Sequence, residues 1–331
     1  MSILKSKKFN IFLGFFVSLV MLVWLASAMD WKQVGVEILR VNYILFIPIT
    51  VIFVVHVVVR SIRWKMFLPD STPESKLIDR FDGLMLGALA TFILPLRAGE
   101  FVRPFILWKK SSVPFAIGFA SVVIERFFDL TAVLISFFVV ANFVPGLPPE
   151  YKKGAIGLGI LALGLLSVLI AGALAPKRLT RLVNVMTSRL PAKFGTLIQN
   201  FVADLLQGMV ALRNPKRLLG VLFYTILIWA TNYGVYYFFV ALVNIEPTIL
   251  FGTVLAVILA LAVAAPSSPG FIGVYEGACV VAFSLFGFSK ELATTCGIVS
   301  HAYQYVFFVA YGIVAMSRGK LTLKDLRQQE V

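Results

Sequence analysis

The chain has 331 residues, of which 60% are hydrophobic and only 14% charged. A soluble domain carries about 25% charged residues, so this composition cannot cover a globular surface with polar groups and excludes a soluble enzyme. The formal net charge of +14 would point a soluble protein toward nucleic acid, but here Lys and Arg cluster in short segments between apolar runs, a pattern of membrane topology rather than of nucleic-acid binding.

Residues 9–29 follow a basic start with Lys5, Lys7 and Lys8. The run is longer than the roughly 7–15 residues of a cleaved signal core, so it reads as a retained signal anchor. Residues 41–59 form a second span, which Pro48 is expected to bend. Arg60, Arg63 and Trp64 at its end read as a snorkelling interfacial anchor, and His56 just before them as structural or interfacial.

Residues 81–96 make an apolar segment of about 24 Å as a helix, short for a crossing of about 20 residues. A break at Pro95-Leu-Arg-Ala-Gly99 follows, then apolar residues to 124 with a polar turn at 109–112. The stretch 127–143 is a short span that can begin earlier, and 155–175 a span rich in Gly and Ala, suited to close helix packing. Residues 177–217 mix eight Lys and Arg with periodic apolar positions, which predicts one or two amphipathic helices on the cytoplasmic surface. Spans follow at 218–243 and 292–316. Between them, 250–265 runs into a second break at Pro266-Ser-Ser-Pro-Gly270 and a half-helix to 288.

The basic flanks orient the chain: both termini, the end of the second span and the 177–217 segment are cytoplasmic, and the nearly neutral connections 30–40 and 142–153 lie outside. The fold class is therefore all-α, a polytopic membrane helix bundle forming one transmembrane domain over 1–331. It has six full crossings and two re-entrant hairpins, at 81–124 from the cytoplasm and 250–288 from outside. Broken backbone at membrane depth survives only where protein or water covers it. The two Pro-x-x-x-Gly breaks, oppositely oriented, make a weak inverted repeat of the kind that places a substrate site at mid-depth.

The candidate site residues sit at these breaks. Arg97, Glu100 and Arg103 lie in or after the first; Glu125, Arg126 and Asp129 lie in the following apolar run. An ionised side chain at a helix centre costs about 2.5–3.5 kcal/mol on insertion scales, so these must face protein or water. Two readings stay open: an ion-pair network that staples the hairpin to the next span, or a polar lining for a headgroup. On either, Arg126→Ala is expected to strand Glu125 and Asp129. At the second break Ser267 and Ser268 are candidate half-helix caps, and the same amides suit an anion. Glu276 stands among Gly and apolar residues, His301 falls in the last span near Gln304, and together they are a candidate proton pair. Asn232 and Tyr233 are expected to bond across helices, and Cys279 and Cys296 to be small packing residues. No Walker loop, metal-ligand spacing or nucleophile elbow is present, so no cofactor or metal and no direct use of ATP is expected.

Residues 94–130, LPLRAGEFVRPFILWKKSSVPFAIGFASVVIERFFDL, and 266–288, PSSPGFIGVYEGACVVAFSLFGF, resemble the flippase-like transmembrane domain family, the membrane region of lysylphosphatidylglycerol synthases. The marks are Arg-Ala-Gly-Glu, Glu-Arg-x-x-Asp and the Pro/Gly turn ending in Glu. Pro269 departs from a turn that is Gly-richer in relatives, and the aminoacyl-transferase domain of the synthases does not follow, so lysyl transfer from tRNA is not expected. The resemblance implies a lipid translocase of the inner (cytoplasmic) membrane with Arg97, Glu100, Arg103, Glu125, Arg126, Asp129 and Glu276 as motif residues. The expected partners are membrane lipids with an anionic headgroup; a homodimer and a separate lipid synthase are further partners left open. The alternatives are a membrane-embedded lipid-modifying transferase with Glu125 or Asp129 as general base, and a non-transporting partner of a separate synthase.

Overall fold

The computed structural model describes residues 27, 29–94, 99–144, 149–188, 191–264 and 268–319. Among them the regular elements are all helical. The first apolar run, 9–29, lies almost wholly outside the described residues. The longer helices are α1 (Trp31–Leu39), α2 (Phe46–Phe67), α3 (Leu77–Ile93), α4 (Gly99–Ser111), α5 (Phe115–Ala141), α6 (Pro149–Leu174), α7 (Pro176–Thr187), α8 (Ala192–Ala211), α9 (Pro215–Leu242), α10 (Ile249–Ala264), α11 (Val274–Ser284) and α12 (Lys290–Gly319).

Local chemistry fixes several of their starts. The Asp30 carboxylate caps α1 by accepting from the Lys32 and Gln33 amides, and Asn214 caps α9 with Pro215 in its first turn. Pro48 stands in the first turn of α2, where a missing N–H costs nothing, so it starts this helix rather than bending its middle. α2 also runs on to Phe67, past the end expected from hydropathy, because Arg63 is buried and Arg60 largely so, Lys65 alone of the charged residues there being exposed. α5 begins at Phe115, well before 127, for the same reason.

Three stretches are long and apolar enough to cross a membrane among the described residues: Tyr43–Phe67, Pro215–Leu242 and Lys290–Arg318. Their outer faces carry exposed apolar side chains such as Ile47 (66%), Ile226 (71%) and Val306 (68%), as a bundle solvated by lipid requires. α10 is a shorter apolar helix. The basic 177–217 segment forms two helices, α7 and α8, with Leu206 and Met209 of α8 packed against Phe128 of α5 and Val221 of α9.

Two antiparallel pairs position the site. α3 and α4 fold back on each other, and a Cβ on Gly99 would collide with the Gly87 carbonyl, so glycine at both places permits the close approach. Lys109 and Lys110, expected in a polar turn, stand in the last turn of α4. Lys110 ion-pairs at 2.5 Å with Asp82 of α3, which also accepts from Tyr311 (2.5 Å) and Arg318 (2.8 Å) of α12. α10 and α11 fold back likewise, with Phe251 stacked on Phe286 and Phe288 and edge-on to Phe283.

The turn before α11 contains Gly270, Phe271 and Gly273, all with φ between +59° and +83°. Any side chain at Gly270 would overlap the Tyr305 hydroxyl. Phe92, in the last turn of α3, meets Phe271 edge-on and lies over His301 and Tyr305. The end of α3 therefore packs against the turn that opens α11, bringing elements from the two breaks together. The Gly-rich α6 packs closely on one face only, with Ala155 and Ala162 buried and Gly172 set against Met209. Gly159 meets Phe138, but Cβ atoms on Gly154, Gly157 and Gly164 would meet nothing within 4 Å.

Candidate functional site

The residues of α2 expected at the membrane surface instead face inward. His56, Arg60 and Arg63 are spaced four and three apart, one face of a helix, and that face meets Glu125 and Asp129, themselves four apart on α5. Arg63 and Trp64 are fully buried. Arg60 Nη2 donates to Glu125 Oε1 at 2.6 Å, and Arg63 Nη2 to Asp129 Oδ1 at 2.7 Å. Arg63 Nη1 also donates to Thr225 Oγ1 of α9 at 2.9 Å. From α4, Arg103 Nη2 donates to the other Glu125 oxygen at 2.8 Å, its guanidinium lying 4.8 Å from the centre of the Trp64 ring. Glu100 stands 3.4 Å from Arg103 and 3.5 Å from Arg126, and Arg126 lies 3.5 Å from Glu125 and 3.8 Å from Asp129.

Four guanidiniums thus face three carboxylates, an excess of one positive charge among the described residues. The interior of a bundle in lipid tolerates such groups only as a network, because removing one member leaves its partner buried and unpaired at a cost of about 3–5 kcal/mol. The fully buried Glu125 is the hub, reached by Arg60 and Arg103 through hydrogen bonds and by Arg63 and Arg126 at longer range. Arg126 is different: its side chain is 40% exposed.

What Arg126 is exposed to is a cavity of about 420 Å³ between α2, α5, α9 and α10. Its polar wall is His56, Arg60, Arg126, Asp129, Trp229 and Asn232; its apolar wall includes Leu130, Val133, Ile228 and the last turn of α10 from Ala260 to Ala264. Three donors of the residues on this wall, Arg60 Nε, Arg126 Nε and Trp229 Nε1, are buried without a hydrogen-bond partner. His56 Nδ1 lies 3.1 Å from the Ile228 carbonyl oxygen, which can only accept, so that nitrogen carries the proton. A cavity with orphaned N–H groups and a surplus guanidinium charge on one side, and hydrocarbon on the other, suits an anionic headgroup whose tails remain in lipid.

Of the residues singled out by sequence, Glu100, Arg103, Glu125, Arg126 and Asp129 come together here. Arg97 and Ser267 lie outside the described residues. Glu276 and His301 form a second pair: Glu276 Oε1 is 2.7 Å from His301 Nδ1, while Glu276 Oε2 accepts from the Gly273 amide at 2.7 Å. The cap of α11 is thus supplied by Gly273 and Glu276, and Ser268, six residues upstream of α11, has its hydroxyl 3.4 Å from the Ile272 carbonyl. Tyr233 bonds to Ser136 of α5 at 2.5 Å, as expected of a cross-helix polar pair, and Asn232 lines the cavity. Cys279 and Cys296 are free and fully buried.

Arg60, Arg63, His56 and Asp82 were not singled out as site residues. For the α2 residues the signal was their common helix face, which a reading of basic flanks as surface anchors obscures. For Asp82 it was a lone carboxylate in the apolar run 81–96.

These features define a multi-pass integral membrane protein of helices, with a buried charge network bordering a cavity. The chain belongs to the family of the lysylphosphatidylglycerol synthase transmembrane region, whose model matches residues 11–312. It is 27% identical over 225 residues to the UPF0104 membrane protein MJ1078 of Methanocaldococcus jannaschii, covering 67% of this chain and 90% of that one. It is also 24% identical over 306 residues to the glycosyltransferase AglD of Haloferax volcanii, covering 80% of this chain. The match spans 47% of AglD, about half its length. No solved structure matches the chain.

Proposed function

We propose that the protein is a lipid translocase that moves a phospholipid or polyprenyl-linked lipid between leaflets, its anionic headgroup held in the α2–α5–α9–α10 cavity. The observation that carries this reading is the cavity itself, with Arg60 Nε and Trp229 Nε1 unpartnered on its polar wall and Arg126 open to it. Arg126 and Arg60 bind phosphate oxygens; Glu100, Glu125 and Asp129 hold the guanidiniums in place; Arg63 and Arg103 anchor the network.

In this proposal the chain crosses the cytoplasmic membrane six times with both termini cytoplasmic, α3–α4 and α10–α11 being re-entrant hairpins from opposite sides. The fold-back of each pair and their meeting at Phe92 and Phe271 support it. The name of AglD, a glycosyltransferase, keeps a membrane-embedded transferase in view as an alternative. That chemistry asks Glu125 or Asp129 to act as a general base. Glu125 is bound by Arg60 and Arg103, and Asp129 by Arg63, which leaves them poorly placed to take a proton and favours translocation.

Reconstitution into liposomes with a fluorescent phosphatidylglycerol, followed by quenching of the outer leaflet, tests the reading. Quenching beyond the outer-leaflet fraction is expected with wild type and is lost in Arg126→Ala. Quenching no greater than in protein-free vesicles, across anionic lipids, would rule the reading out.

A further inference from the structure

The two polar centres of the bundle differ in kind. The network around Glu125 is neutralised by arginines, which keep their charge at any physiological pH. At the second centre, among the described residues, the ion pair made by Glu276 is with His301, whose charge depends on a bound proton. Among the described residues, the groups facing this pair carry no permanent charge. α3 contributes the Phe92 ring, and α12 contributes Ser300, Gln304 and Tyr305. α11 contributes Tyr275, stacked on the imidazole at 4.3 Å, and Tyr236 reaches Tyr275 from α9. The thiols of Cys279 and Cys296 lie behind them and are buried.

His301 Nε2 is buried and has no hydrogen-bond partner. With Nδ1 committed to Glu276, a neutral ring leaves Nε2 an unmet acceptor, and a protonated ring leaves it an unmet donor. The position is thus open to a proton carrier in either state. His301 is the twelfth residue of α12, about 17 Å along it, near the middle of a hydrocarbon core of about 30 Å. It also sits where the end of α3 meets the turn that opens α11, under Phe92 and beside that left-handed turn.

We infer that the Glu276–His301 pair takes up one proton per cycle and couples lipid movement to proton movement. The inference rests on the translocation reading. The charge balance is simple. Without the proton the pair is Glu⁻ and neutral His, with charge −1; with it, Glu⁻ and His⁺, with charge zero. The proton enters from water on one side, is held on the imidazole, and leaves to water on the other. A headgroup of charge −1 carried with one proton crosses without net charge, so the membrane potential does not oppose it.

The experiment uses the full chain in vesicles of phosphatidylcholine and phosphatidylglycerol, with fluorescent phosphatidylglycerol and an imposed gradient of one pH unit. One-to-one coupling drives the labelled lipid toward about tenfold asymmetry between leaflets, since one pH unit is a factor of ten in proton activity. A protonophore together with valinomycin and potassium abolishes the asymmetry. Glu276→Gln, which keeps an acceptor for the Gly273 amide, and His301→Asn retain exchange and lose the asymmetry. Symmetric wild-type exchange, equally fast with and without the gradient, overturns the coupling and leaves translocation standing. No exchange in any vesicle overturns translocation and the coupling with it. Should either variant fail to fold, the wild-type asymmetry decides alone.

Discussion

At the scale of single residues, the network separates arginines that hold the fold from one that faces the cavity. Arg63 is fully buried, bonded to Asp129 and Thr225, and 3.6 Å from Glu125. Arg63→Ala is expected to cost about 3–5 kcal/mol, read as lower thermal stability in detergent, because it leaves Asp129 short of its closest partner. Arg126→Ala behaves otherwise. The expectation that it would strand Glu125 and Asp129 fails, since Arg60, Arg63 and Arg103 still reach them. The variant should keep its melting temperature and lose lipid exchange. A melting temperature that falls as far as that of Arg63→Ala would make Arg126 one more structural cation.

At the scale of elements, the hairpin α3–α4 is pinned to α12 through one buried carboxylate. Asp82 receives Lys110, Tyr311 and Arg318 from three separate turns of helix. Asp82→Ala is expected to free the end of α4 and raise proteolysis after Lys109 or Lys110; proteolysis equal to wild type would show that apolar packing alone docks the hairpin. The proposed re-entrant topology predicts that a cysteine at Lys109 reacts with an impermeant maleimide from the cytoplasmic side alone, the native Cys279 and Cys296 being buried. Labelling from outside would misplace the hairpin.

Much of this level was legible in sequence. The Pro and Gly breaks marked where helices end, and run length separated α10 from the long spans. Ion pairing was not, because hydropathy counts each charge as if it met lipid or water alone. Arg60 and Arg63 read as the end of a span for that reason, whereas in the fold Glu125 and Asp129 supply what the surface would have supplied. The cavity was not legible: the sequence placed a polar site where the two breaks meet, whereas this cavity is lined by α2, α5, α9 and α10 and not by Glu276. Its four walls come from helices far apart in sequence, which periodicity within one helix does not join.

At the scale of the whole molecule, the bundle presents apolar side chains outward, keeps a charged network within, and places a cavity with one polar and one apolar wall at the network's edge. That division matches the two ends of a lipid. On the proposed function, headgroups enter this cavity and cross. The most direct measurement is leaflet exchange of fluorescent phosphatidylglycerol by the purified wild-type protein in liposomes, beside Arg126→Ala of equal thermal stability. Quenching beyond the outer leaflet is expected with wild type and outer-leaflet quenching alone with the variant. Equal exchange by both, or by neither, would contradict it.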